Sequence, residues 1–319
     1  MFMRCSYVEC IIRLTVGKGV NAVAVTQWKL KMLEGSIKNN IRIDFIESFE
    51  TEETIRGKNW EPHAHTGMHE IGIYLCGEVN VRHGDDLYTP LSGDVNFFLP
   101  DELHCGVILK PCLVGRVNIF IPEETAEAYA ADGFDLLAFC RDAGEHGRPH
   151  VLRLPSDALQ EMMHLVSEMR DAIDRSVLNA DAIVYSNFIK LFTIFNAVYF
   201  SDSMEHLVPP PTGMIRETCE YIDAHYGEIE NLSEVADAIH VNGAYLSSVF
   251  KRRMNIAMSD YLNYRRLSRS RYFLAAGKSV TEACFEAGFS SMSYYIKLFR
   301  KLYGITPGVY AEQIKVRLL

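Results

Sequence analysis

The chain has 319 residues, 48% apolar and 23% charged, which excludes wholesale disorder because that much apolar surface can offset the entropy of ordering. At roughly 100–200 residues per domain, the length suggests two domains. No uninterrupted apolar run approaches the ~20 residues that cross a bilayer. The early run at 10–16 is split by Arg13, so neither a signal peptide nor a membrane span is expected.

The eight cysteines include no CxxC pair and no regular spacing, arguing against a zinc ribbon, a redox dithiol or a disulfide framework. A reduced, cytoplasmic protein is the expectation. The net charge of −9 conceals an asymmetry: residues 213–319 hold 14 Lys/Arg against 11 Asp/Glu, and 251–319 hold 13 against 4. A local basic field attracts polyanions even when the rest of the chain is acidic, because screening silences charges beyond ~10 Å.

Residues 40–154 carry short apolar or alternating runs at 71–76, 79–82, 95–99 and 113–121. Turn signals at Gly77, Gly84 and Gly93 separate them. Many short strands at this spacing predict an antiparallel sandwich or barrel. Successive residues of a strand alternate faces, so His63 and His65 point together. With Glu70 and His104 they offer three imidazoles and a carboxylate, donors suited to Zn, Fe, Mn or Ni. The pattern from His63 to Gly77, followed by Gly93-Asp94 and His104, resembles the two cupin motifs, with Asp101 where the second motif usually has Gly. That resemblance implies a small β-barrel over about 40–125. Trp60, His69, Tyr74, Arg82, Arg116 and Asn118 are candidate pocket residues.

Residues 156–206 contain no Gly or Pro. Ser156 is a candidate N-cap, and Met162, Leu165, Val166, Met169 and Ile173 form a helical stripe. A second helix around 181–200 carries Ile183, Phe188, Leu191, Phe192, Phe195, Val198 and Tyr199. It is apolar over more than one face and needs cover from two sides. The run Pro209-Pro210-Pro211-Thr212-Gly213 breaks helix and marks a domain boundary.

From 214 onward the sequence reads as helices. Asn231 and Glu234 form a capping box at one helix start. Ala236 is the small residue that lets this helix cross its neighbour, and Asn242 caps the next. Leu246, Val249 and Phe250 face the partner, leaving only small residues and one lysine outward: Gly243, Ala244, Ser247, Ser248 and Lys251. About 48 residues later the grammar repeats. Ser279 and Glu282 form a capping box, Gly288-Phe289 turns, and Ser290 caps a helix that buries Tyr295, Leu298 and Phe299. Its outward residues are Ser291, Met292, Ser293, Ile296, Lys297, Arg300 and Lys301. A helix over 259–276, with Arg265, Arg266, Arg269 and Arg271, joins the two units. Two helix-turn-helix units on one rigid helix can reach major-groove segments ~34 Å apart.

Residues 231–313 resemble the DNA-binding domain of AraC-type (AraC/XylS) transcriptional regulators. The stretches that carry this are Tyr261-Leu262-x3-Arg266, Gly288-Phe289-x4-Tyr294-Tyr295-x3-Phe299, and Gly304-Ile-Thr-Pro307-x2-Tyr310. Ala283 and Cys284 replace a larger apolar residue and an Ala of the usual pattern, so looser packing is expected there. The resemblance implies a ligand-responsive transcription factor of α+β two-domain class. Its parts are an N-terminal region 1–154 with the cupin-like barrel, a helical pair at 155–208 that dimerises, a linker at 209–213, and an all-α double helix-turn-helix domain at 214–319. Sensor cupins of such proteins use the cavity for a small effector, here a polar molecule such as a sugar, held by Trp60, His63, His65, Glu70, Tyr74 and His104. No cofactor, resident metal or membrane is expected. The implied partners are double-stranded promoter DNA, the effector, a second copy of the chain and RNA polymerase. The alternative is a metal-dependent cupin isomerase or dioxygenase carried on a DNA-binding tail, with His63, His65, Glu70 and His104 as ligands.

Overall fold

The computed structural model describes residues 23–29, 40–50, 62–84, 86–108, 110–201, 206–254 and 256–318. Trp60 lies outside them. Among the described residues the N-terminal part holds nine strands: β1 (Val23–Lys29), β2 (Arg42–Glu50), β3 (Met68–Cys76), β4 (Val79–His83), β5 (Asp86–Tyr88), β6 (Val95–Phe98), β7 (His104–Ile108), β8 (Cys112–Pro122) and β9 (Val151–Leu152). They form a six-stranded sheet of order β1-β2-β8-β3-β6-β9 and a three-stranded sheet of order β5-β4-β7. The described strands therefore make two antiparallel sheets rather than a closed barrel, with a single His63–His104 bridge joining residue 63 to β7.

The period-two alternation of β3 organises both faces of the large sheet. Ile71 and Ile73 point into a core with Val95, Phe97, Val117, Ile119 and Phe45. Between them, Glu70, Gly72 and Tyr74 point to the other side, where Asn96, Phe98, Asn118 and Phe120 from neighbouring strands join them around a cavity. A one-residue slip would exchange these faces, so the apolar set fixes the register that assembles the polar one.

Helices cover the apolar face. They are α1 (Glu123–Ala131), α2 (Ala138–His146), α3 (Ser156–Asp174) and α4 (Ala180–Tyr199). The stripe Met162, Leu165, Val166, Met169 and Ile173 is buried on this core with Phe188, Leu191, Phe192 and Phe195 of α4. Full burial of each such side chain contributes roughly 1.5–3 kcal/mol. Helix α4 is long and apolar enough to cross a membrane, but Phe139 of α2, the stripe of α3 and the sheet share one core with it. The predicted need for two-sided cover is met inside this chain. Pro155, not Ser156, occupies the N-cap of α3, and no side chain caps that end.

The C-terminal part comprises α5 (Gly213–His225), α6 (Leu232–Ala238), α7 (Gly243–Met254), α8 (Met258–Ala275), α9 (Val280–Glu286), α10 (Met292–Tyr303) and α11 (Pro307–Leu318). The joining helix α8 serves two cores. Tyr261 and Leu262 pack with α5, α6 and α7, whereas Leu267 and Leu274 pack with α9, α10 and α11. Ala283 and Cys284 are fully buried against Tyr295 and Phe299, so the expected looseness at that helix is absent.

Helix α8 also docks on the N-terminal part. Ser268 Oγ accepts from the Gly77 amide and donates to its carbonyl, both at 3.0 Å. Arg269 donates to Pro111 O at 2.6 Å and Arg271 to Leu75 O at 3.2 Å. Cys76 and Leu113 enter the same apolar cluster as Leu267.

Candidate functional site

Each helix-turn-helix unit is built by its caps. In the first, Asn231 accepts from the Ser233 amide while Glu234 accepts from the Asn231 amide at 3.0 Å. Asn242 Oδ1 accepts from the Tyr245 amide at 3.1 Å and starts α7. A Cβ on Gly243 would lie 3.6 Å from the Ala236 Cβ, which places both small residues at the helix crossing. In the second unit, Ser279 and Glu282 form the reciprocal box. The next cap is Ser291, whose Oγ accepts from the Tyr294 amide at 3.3 Å. Ser290, one residue earlier, is exposed and corrects the expected cap by one position. The turns differ. Gly288 takes φ +91° in the second unit, whereas His240 takes φ +59° in the first, a left-handed conformation open to His at modest cost.

On α7, Ala244, Ser247, Ser248 and Lys251 are exposed and Gly243 is half-buried. Tyr245 is 59% exposed on the same helix, which corrects the reading of that surface as only small residues and a lysine. On α10, Ser293, Lys297, Arg300 and Lys301 are exposed, and so is Tyr294 at 48%. Met292 and Ile296 are half-buried against the second core, so they support the helix more than they present an edge. Sequence reasoning missed both tyrosines because tyrosine in a helix so often packs inward. Each stands one residue before a buried position, Leu246 or Tyr295, and so about 100° round the helix from it, which was the available signal.

Not all of the basic surplus of 251–319 faces outward. Arg265 is 4% exposed and grips Asp223 through Nε at 2.6 Å and Nη2 at 2.7 Å. Arg266 donates to the Tyr226 and Ile229 carbonyls. With Arg269 and Arg271 bound to carbonyls of the N-terminal part, the arginines of α8 are structural. Lys251 and Lys301 border a cavity of about 500 Å³ between the two parts, beside the buried Asp94–Arg153 ion pair. Lys297 and Arg300 do not line it.

The second candidate site is the cavity of about 490 Å³ between the two sheets. At its centre Glu70 is 6% exposed. Its Oε2 lies 2.8 Å from His65 Nε2 and 3.1 Å from His104 Nε2, and its Oε1 accepts from Asn118 at 2.7 Å. Burial alone would raise this carboxyl. Hydrogen bonds from His104 and His65 and the nearby Arg116 charge overrule it and hold the pKa at about 2. The His63 ring is tilted against that of His104, with ring centroids 4.5 Å apart. His104 Nδ1 donates to the Glu102 carbonyl at 3.0 Å, which fixes the ring and leaves Nε2 facing the cavity. Asp101, where the cupin pattern has Gly, takes φ +65°, a conformation Asp tolerates better than most residues. Tyr74, Arg116 and Asn118 line the cavity as expected. His69 and Arg82 do not. His69 follows the opposite face of β3 from Glu70, and Arg82 is exposed. Asn96 Oδ1 is buried in the cavity wall without a hydrogen-bond partner.

Residues 235–313 match the family described as "Helix-turn-helix domain". Residues 235–313, about a quarter of the chain, are a helix-turn-helix domain. Regulatory protein PocR of Salmonella typhimurium is 31% identical over 33% of this chain and 35% of its own length. This chain thus spans about a third of that relative. The uncharacterized HTH-type transcriptional regulator YbfI of Bacillus subtilis is 26% identical over 70% of this chain and 77% of its own. A solved transcriptional regulator from Chromobacterium violaceum, one of the AraC-type DNA-binding domain-containing proteins, is 25% identical over 32% of this chain and 91% of its own, with a TM-score of 0.30. The capped, duplicated units fall inside the matched region and extend beyond it only by the first cap, Asn231, and the few residues that follow it.

Proposed function

We propose that the chain is an AraC-type DNA-binding transcriptional regulator whose cupin-like N-terminal part senses a small polar effector. The observation that supports it best is the repeated unit itself: two capped helix pairs that each expose the first turns of their second helix. Specificity then comes from Ala244, Tyr245, Ser247 and Ser248 on α7 and from Ser291, Ser293 and Tyr294 on α10, while Lys297 and Arg300 hold phosphates. Arg116, Asn118 and the unpartnered Asn96 Oδ1 offer a polyol or small acid both donors and acceptors, and Phe98 and Phe120 offer flat apolar walls. Strand β3 carries Glu70 and Tyr74 in the cavity and, at Leu75 and at Gly77 in the turn beyond, the carbonyls and amide that hold α8. An effector that favours one placement of this strand shifts the DNA-binding population in proportion to its differential affinity. A second copy, paired through the helical region 155–208, would let the protein read paired half-sites. The apolar stripe of α3 is already buried, so such pairing would use the outer faces of α3 and α4.

A metal-dependent enzyme is the second reading. It rests on the donor atoms of His63, His65, Glu70 and His104, which all lie within 4.8 Å of one another, and on the Glu102 carbonyl that orients His104 as metal-bound imidazoles are oriented. These residues fit a divalent ion, which would supply Lewis acidity in the cavity. A thermal-shift screen of sugars and small acids, run beside metal analysis of the purified chain, separates the readings. A stabilising metabolite, with no bound metal that depends on His63 and His104, supports the regulator. Stoichiometric metal lost on His63→Ala and His104→Ala supports the enzyme.

A further inference from the structure

A second histidine–carboxylate cluster lies outside the effector cavity. His83 closes β4, Glu102 sits in the loop between β6 and β7, and His150 precedes β9. His83 Nε2 is 2.9 Å and His150 Nδ1 3.3 Å from the same oxygen, Glu102 Oε2. The two rings are 4.4 Å apart, and all three donor atoms lie within 4.8 Å of one another. A tetrahedral zinc with ligands at about 2.0–2.1 Å has ligand–ligand edges of about 3.3 Å, so the spacing suits one shared ion.

Two further features argue for an ion over a plain hydrogen-bonded cluster. The buried His150 Nδ1 meets the carboxylate oxygen at 3.3 Å outside good hydrogen-bonding geometry, an arrangement that an ion shared by the two atoms would satisfy. The ligands are also fixed in place by their neighbours. The Leu99 amide donates to Glu102 Oε2 at 2.7 Å, Phe97 stacks on His150 at 5.0 Å, and Phe98 lies 5.7 Å from His83. The His83 and Glu102 side chains are 18% and 27% exposed and His150 is 8% exposed, which leaves an entry path and room for a water as fourth ligand.

We propose that His83, Glu102 and His150 hold one divalent transition-metal ion of the zinc class. The ion cross-links the small sheet, through β4, to the β6–β9 edge of the large one. It also abuts the effector cavity, because the Glu102 carbonyl holds His104 and because His83 and His104 are register partners.

The test uses the full chain carrying His63→Ala and His65→Ala, which removes two donors from the cavity cluster and none from this one. Zinc chloride is titrated by calorimetry, and cobalt(II) by visible absorption. One equivalent of zinc, a thermal midpoint that rises with zinc and falls back with chelator, and at least tenfold weaker binding on adding Glu102→Gln would bear the proposal out. Should Glu102→Gln fail to fold, His83→Ala gives the same reading at a more exposed position. No zinc bound by the His63→Ala/His65→Ala chain, or an affinity that neither Glu102→Gln nor His83→Ala changes, overturns it.

Discussion

Removing Arg265 separates the architectural arginines of α8 from the residues proposed to reach DNA. Its guanidinium spans both oxygens of Asp223 at 2.6 and 2.7 Å and also donates to the Tyr261 hydroxyl at 3.1 Å. That hydroxyl in turn donates to Asp223 at 3.0 Å. Arg265→Ala leaves the carboxylate and the hydroxyl without their common partner, and breaking one side of a buried ion pair costs about 3–5 kcal/mol. The Asp223 side chain is 18% exposed, so water recovers part of the loss and about 3 kcal/mol is the expectation. At roughly 4–8 °C per kcal/mol for a domain of about 100 residues, the helical transition falls by more than ~10 °C. Arg265→Lys keeps the charge, loses the fork and should fall between the two. Urea titration followed by circular dichroism measures the stability, and DNA binding at several salt concentrations measures the contact. A loss below ~1 kcal/mol, combined with a salt slope shallower by about one, would show that Arg265 touches phosphate and that its structural assignment is wrong.

Gly288→Ala tests the second turn. The added Cβ would sit 2.8 Å from Gly227 Cα and 2.9 Å from the Tyr226 carbonyl oxygen at φ +91°, so a loss above ~2 kcal/mol is expected in a melt, and near-wild-type stability would contradict the packing. Phe195→Ala, at a fully buried site facing Phe139 and Phe192, should cost about 3–5 kcal/mol by chemical denaturation. Burial, helped by the Arg141 charge, depresses the His69 pKa from 6.5 to about 4. The folded state therefore binds this proton less readily than the unfolded one, and its contribution is whole above pH 6.5 and lost as pH falls toward 4. The stability of His69→Gln should decline less than wild type across that window, by at most about 3 kcal/mol. Parallel pH curves would remove His69 from the account.

What the sequence disclosed followed the strength of its local signals. Both capping boxes and the fold of the helical domain were readable because Asn231/Glu234 and Ser279/Glu282 satisfy amides within three residues. The strands at 71–76, 79–82 and 113–121 were readable from turns and β-branched runs. Helices α1 and α2 were not foreseen in a stretch read as strands, although the Ala- and Glu-rich segment at 123–131 favours helix. Strand β1 at Val23–Lys29 has no turn signal or motif of its own and is defined by its pairing with β2. In the cavity, His63, His65, Glu70 and His104 were found together because strand alternation is local. The cluster of His83, Glu102 and His150 escaped because three separate elements bring it together. The arginines of α8 misled for a related reason. Charge counts as surface until a long-range partner such as Asp223 or the Leu75 carbonyl is seen.

Binding of the full chain to promoter fragments from its own genome, measured across a salt series beside Lys297→Ala and Arg300→Ala, bears most directly on the proposal that the duplicated helix pair grips duplex DNA. Retarded fragments at low salt, with weaker binding and a log–log slope shallower by about 0.9 for each phosphate contact removed, are the expected result. A folded chain that retards none of these fragments, or two variants with wild-type affinity and slope, would contradict it.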